Sequence, residues 1–76
     1  MGLKEIREAV VMGDAKTVPG LIQSELAAGT AAEQILKAMI AAMGYVGDQF
    51  EQGEMYVPEM LIAARAMQAG SNILKP

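Results

Sequence analysis

The stretch TAAEQILKAMIAAMGYVGDQFEQGEMYVPE, residues 30–59, decides how this chain folds. Thr30-Ala31-Ala32-Glu33 fits a capping box, in which a threonine hydroxyl and a glutamate side chain each satisfy backbone donors at a helix start. From there Ile35, Leu36, Met39, Ile40, Met43, Val46 and Phe50 recur at helical spacing through about Gln52, and Gly53 is expected to end the helix. A further helix opens at Pro58, whose fixed φ suits a first turn, with Glu59 adding negative charge at the positive end of the helix dipole. Residues 30–59 therefore read as one long helix, a short turn and the start of another helix.

Working outward, Leu3, Ile6 and Val10 recur at helical spacing with Lys4, Glu5, Arg7 and Glu8 on the other face, so a short helix is expected from about Leu3 to Met12, ended by Gly13. Asp14 is placed to cap a second helix with the stripe Val18, Leu21, Ile22 and Leu26, stopped by Gly29. Pro19 moves the regular part of that helix toward Thr17, so that the proline falls in the first turn. The last helix carries the stripe Leu61, Ala64, Met67 and Leu74. Short connections between four amphipathic segments favour antiparallel neighbours, so the expected fold is an all-α, antiparallel four-helix bundle. With 76 residues there is room for one domain and one core. The composition, 53% hydrophobic but 4% aromatic with seven Met, suits aliphatic helices packed on one another.

Composition also narrows the chemistry. The chain carries a net charge of -3, and its six Lys and Arg are scattered singly along the sequence, which argues against nucleic-acid binding. It contains no Cys and no His, so thiolate metal sites, disulfides and imidazole bases are excluded, leaving carboxylates as the only conventional catalytic groups. No apolar signal core or membrane-length apolar run is present, and a soluble, cytoplasmic protein is expected.

Residues 43–59 are unlike bundle filler. Gly44 and Gly47 each cost about 1 kcal/mol against Ala in a helix interior, and they lie three apart on nearly one face, where a helix crossing or a ligand could come close. Met55, Tyr56 and Val57 put three large side chains in a turn where no periodic core requires them all. MGYVGDQFEQGEMYVPEMLIAARAM resembles the pattern M-x-x-V-G-x-x-F-x-x-G-x-x-[FY]-[LVI]-P-[EQ] of the N-terminal helical cap of corrinoid (cobalamin) methyl-carrier proteins, a family that includes the corrinoid proteins of methylamine and methanol systems and the matching region of cobalamin-dependent methionine synthase. GDAKTVPGLIQSELAAG and AMQAGSNILKP are similar to that family's second and last helices, so the likeness covers essentially the whole chain. Gly44 and Pro19 depart from the pattern.

The resemblance implies a bundle over the upper, methyl-bearing face of cobalamin that excludes water between transfers and needs no catalytic base of its own. Phe50 matches the motif's phenylalanine, Val57 the aliphatic residue before its proline, Tyr56 the neighbouring aromatic, Gly47 its glycine and Met43 its first residue. In the family, cobalt is held from below by the histidine of a D-x-H-x-x-G motif in a following Rossmann-like domain. That motif is absent from this sequence, so residues 1–76 are expected to be the cap alone, a piece of a longer protein that binds no cobalamin tightly by itself. The partners implied are that C-terminal domain and methyltransferase subunits, with no nucleic acid or membrane. Ordinary hydrophobic packing is the alternative account of Phe50, Tyr56 and Val57, one that the motif match weakens, whereas gap-filling thioethers explain Met39, Met43, Met60 and Met67 better than cofactor contacts do. Asp48, Glu51, Glu54 and Glu59 read as a solvated acidic rim rather than a metal site. The alternative function is a free-standing helical interaction module that uses the same apolar patch to bind another protein or a second copy.

Overall fold

The computed structural model describes residues 2–74, which form four helices: α1 (Gly2–Met12), α2 (Val18–Ala27), α3 (Ala32–Glu51) and α4 (Val57–Leu74). They pack as a bundle of 38 × 20 × 17 Å. α3 lies against α1 and α4, α2 also lies against α1 and α4, and α2 and α3 sit diagonally with little contact. One of the three short connections thus joins helices that are not neighbours, unlike the simple up-and-down arrangement that loop length suggests.

The three glycine stops expected from the sequence all hold. Gly13, Gly29 and Gly53 have φ of 75°, 99° and 78°, a conformation that side-chain-bearing residues rarely adopt. At each, the next residue's N–H reaches back to the carbonyl five residues earlier: Asp14 to Ala9 at 2.9 Å, Thr30 to Glu25 at 3.0 Å and Glu54 to Gln49 at 2.9 Å. All three ends are Schellman motifs, closed by backbone alone.

The helix starts differ more from expectation. α2 begins at Val18 with Thr17 as its cap residue and Pro19 in the first turn, while the Asp14 carboxylate accepts the Thr17 N–H at 3.2 Å one turn upstream instead of capping α2 itself. The capping box at Thr30 does not form. α3 starts one residue later with extended Ala31 as its cap, because the Thr30 hydroxyl donates to the Glu25 carboxylate of α2 at 2.8 Å and Glu33 lies 3.7 Å from Lys37 along α3. The half-box that does form is on α4, where the Glu59 carboxylate accepts the Tyr56 N–H at 3.0 Å.

Ile6, Val10, Val18, Ile22, Ile35, Met39 and Val46 are fully buried, each contributing about 1.5–3 kcal/mol by leaving water. No polar or charged side chain is buried among the described residues. The α4 stripe needs correction: Leu61 and Ala64 are exposed, Met67 and Leu74 are partly buried, and the core face is Ala63, Ala66 and Gly70. Small residues win there because α4 comes close to its neighbours. A Cβ added at Gly70 would stand 2.5 Å from Met39 Sδ, 2.8 Å from Ile22 Cδ1 and 2.9 Å from Val18 Cγ1. Leu26, Leu36, Ile40 and Phe50 are likewise exposed rather than core.

Candidate functional site

The end of α3, residues 52–56 and the start of α4 make a corner whose backbone is fixed on both sides. Phe50 lies in the last turn of α3, where its carbonyl accepts the Gly53 N–H at 3.1 Å within the Schellman closure. Across the turn, Tyr56 is held by Glu59 at its N–H and by Met60, whose N–H donates to the Tyr56 carbonyl at 3.1 Å. Val57 is the first residue of α4. On this fixed backbone the side chains are partly exposed, with Phe50 39%, Val57 50% and Tyr56 71% accessible. None of the three belongs to the buried core cluster.

Met43, Gly47 and Phe50 are spaced i, i+4, i+7, so they share one side of α3. The three are not equivalent. Met43 is half-buried and packs against the core, which bears out its gap-filling role, whereas Gly47 is half-buried with nothing within 4 Å of where a Cβ would be. Gly44 is open in the same way. Among the described residues, no neighbouring helix packs against either glycine.

Ile40 on α3 and Leu61 on α4, which helical spacing places in core stripes, are exposed and extend the apolar surface. Asp48, Glu51, Glu54 and Glu59 are all exposed and rim the corner with negative charge. Among the described residues, no three carboxylates approach closely enough to hold an ion, and no helix is long and apolar enough to cross a membrane. Among the described residues, no buried side-chain polar atom lacks a partner. The corner can exclude water from an apolar face laid against it.

Residues 3–75 match the family described as B12 binding domain. The chain is 36% identical over 75 residues to trimethylamine corrinoid protein 1 of Methanosarcina acetivorans, an alignment covering 97% of this chain and 35% of that protein. It is 33% identical over 73 residues to monomethylamine corrinoid protein 1 of Methanosarcina barkeri, covering 95% of this chain and 34% of that one. The solved structure of the Methanosarcina barkeri monomethylamine corrinoid protein superposes with a TM-score of 0.88 at 31% identity, over 92% of this chain and 34% of the other. The chain therefore spans about a third of the length of these relatives.

Proposed function

This chain belongs to the B12 binding domain family, and from that premise we propose that it is the helical cap of a corrinoid methyl carrier, laying its α3–α4 corner over the upper face of cobalamin. The observation that carries the reading is the exposure of Phe50, Tyr56 and Val57 on a backbone that hydrogen bonds hold fixed. The residues present fit such a group. The corner is apolar, the backbone at Gly44 and Gly47 is open to close approach, and nothing in it would compete for cobalt, since the chain has neither His nor Cys.

In this reading the cofactor supplies the chemistry, a cobalt centre that carries a methyl group between donor and acceptor. The protein supplies exclusion. Phe50 and Val57 flank the turn and keep water from the reacting face, Tyr56 closes its edge, and Gly47 lets the α3 backbone come near; Met43 supports the stripe from the core side. Such a cover has to move aside for reactants. The corrinoid's lower face would be held by a Rossmann-like domain elsewhere in the parent protein, and the parent's partners would be methyltransferase subunits. The same corner is what a second copy of the chain would cover.

A cap exchange tests the proposal. The matching segment of trimethylamine corrinoid protein 1 is replaced by this chain, the hybrid is loaded with methylcobalamin, and loss of the methyl group is followed spectroscopically under light. A snug cap cages the radical pair and favours recombination, so Phe50→Ala with Val57→Ala is expected to speed net loss. Equal rates in hybrid and double variant, with both folded, overturn the site assignment.

A further inference from the structure

The sequence scatters its basic residues, but the fold gathers them. A groove of about 600 Å³ runs between α1 and α3, with Ala41 and Ala42 on its floor and Lys4 and Arg7 on its α1 side. A second hollow continues it along the same two helices past Arg7 to Lys37. Three of the chain's six basic residues thus line one channel, in a molecule whose net charge is -3. Glu8 is the one acid in either lining, and Lys37 is partly offset by Glu33 at 3.7 Å.

The other end of the channel is apolar and exposed, with Met12 79% and Tyr45 52% accessible. Small floor residues between a flexible thioether and an aromatic leave room for an incoming aliphatic side chain. From Lys37 to Tyr45 the groove follows α3 for about 12 Å, a little over two helical turns. Ala41 and Phe50 are nine residues apart, which places them about 180° apart around α3. The groove therefore faces away from the α3–α4 corner.

We infer that this α1–α3 groove docks an acidic amphipathic helix of a partner protein, its aliphatic side chains seated over Ala41 and Ala42 between Met12 and Tyr45 and its carboxylates against Lys4, Arg7 and Lys37. The pattern is helix-in-groove recognition, with apolar anchors for affinity and rim charges for orientation. A partner approaching the acidic corner meets like charge and is turned away, so the charge layout selects the groove. The inference stands on shape and charge, and holds whether or not the corner covers a corrin.

The test is an NMR titration of the 15N-labelled chain with a synthetic helical peptide of about four turns, Leu on one face and Glu on the other, taken to roughly 1 mM, the range of weak docking. Saturable shifts are expected at Arg7, Met12, Ala41 and Tyr45 and not at Phe50 or Val57. Lys4→Glu with Arg7→Glu should weaken binding about tenfold, the size expected of two exposed charge contacts, and a peptide with every Glu replaced by Lys should prefer that variant. These acids fall in the first turns of α1, where the dipole favours them, so the variant should remain folded. The inference is overturned by shifts that map to the corner, by indifference to charge reversal, or by no shift at the highest concentration. It is equally overturned if oligo-dT binds more tightly than the peptide, or if raising the chain's own concentration reproduces the shifts.

Discussion

Alanine at Gly44 and alanine at Gly70 are the same chemical change in the interior of a helix, yet they should move stability in opposite directions. At Gly44 the new methyl group meets nothing within 4 Å, so the helix gains about 1 kcal/mol of propensity, a rise of about 4–8 °C in Tm for a domain this size. At Gly70 it meets Met39, Ile22 and Val18 together. The ends of Met39 and Ile22 can give way, but Val18 Cγ1 has no slack, and overpacking of about 1–3 kcal/mol exceeds the propensity gain. Thermal unfolding by far-UV circular dichroism reads both, and a Gly70→Ala variant as stable as the parent would mean that α4 does not pack this closely. Sequence reading singled out Gly44 and Gly47 because glycine in mid-helix is costly. It passed over Gly70, whose use depends on three side chains from α2 and α3 that no local pattern reveals. The same blindness misassigned α4, where a search for large apolar residues finds Leu61 and misses Ala63 and Ala66.

Among the elements, the start of α4 depends on one side chain. Glu59 satisfies the Tyr56 N–H and sits where the helix dipole favours an anion, so Glu59→Ala should cost about 0.5–1 kcal/mol and loosen the first turn. Glu59→Gln keeps an acceptor and should recover most of the loss. Urea unfolding gives the energies, and amide exchange over residues 56–61 should quicken in Glu59→Ala while exchange in α1 stays unchanged; uniform quickening would place the role of Glu59 in the whole fold. Helix ends were legible in proportion to how local their closure is. Gly13, Gly29 and Gly53 announce themselves, because a positive φ is a property of one residue. Thr30 does not, since its hydroxyl had a choice between its own helix and Glu25 of α2, and the choice is made by tertiary structure.

For the molecule as a whole, two outcomes follow from what its surface presents. Titration with methylcobalamin should give no spectrum of imidazole-coordinated cobalt, since the chain contains no His; its appearance, or tight binding of the cofactor by residues 1–76 alone, would contradict a cap that acts from above. The second concerns self-association. Phe50, Tyr56 and Val57 are only partly exposed, so each can contribute only part of the roughly 1.5–3 kcal/mol of full burial, against an association cost of about 4–15 kcal/mol. The expected state is a weak, concentration-dependent dimer through the corner, strengthened by salt because Asp48, Glu51, Glu54 and Glu59 of the two copies repel. Sedimentation of the wild type beside a Phe50→Ser, Val57→Ser variant decides it. A dimer that survives unchanged in the variant lies on another surface, and a wild type that stays monomeric at high concentration shows that the corner does not self-associate.

The backbone closure of all three inter-helix turns carries an evolutionary consequence. Because Gly53 ends α3 by main-chain bonds, the exposed side chains beside it have no part in closing the helix. Gln52 and Glu54, both exposed, can drift or be selected with little penalty to the scaffold, although they stand beside the surface that meets the outside world. Diversification among descendants of such a bundle is then expected to concentrate there, leaving the glycines as fixed punctuation around a rewritable text.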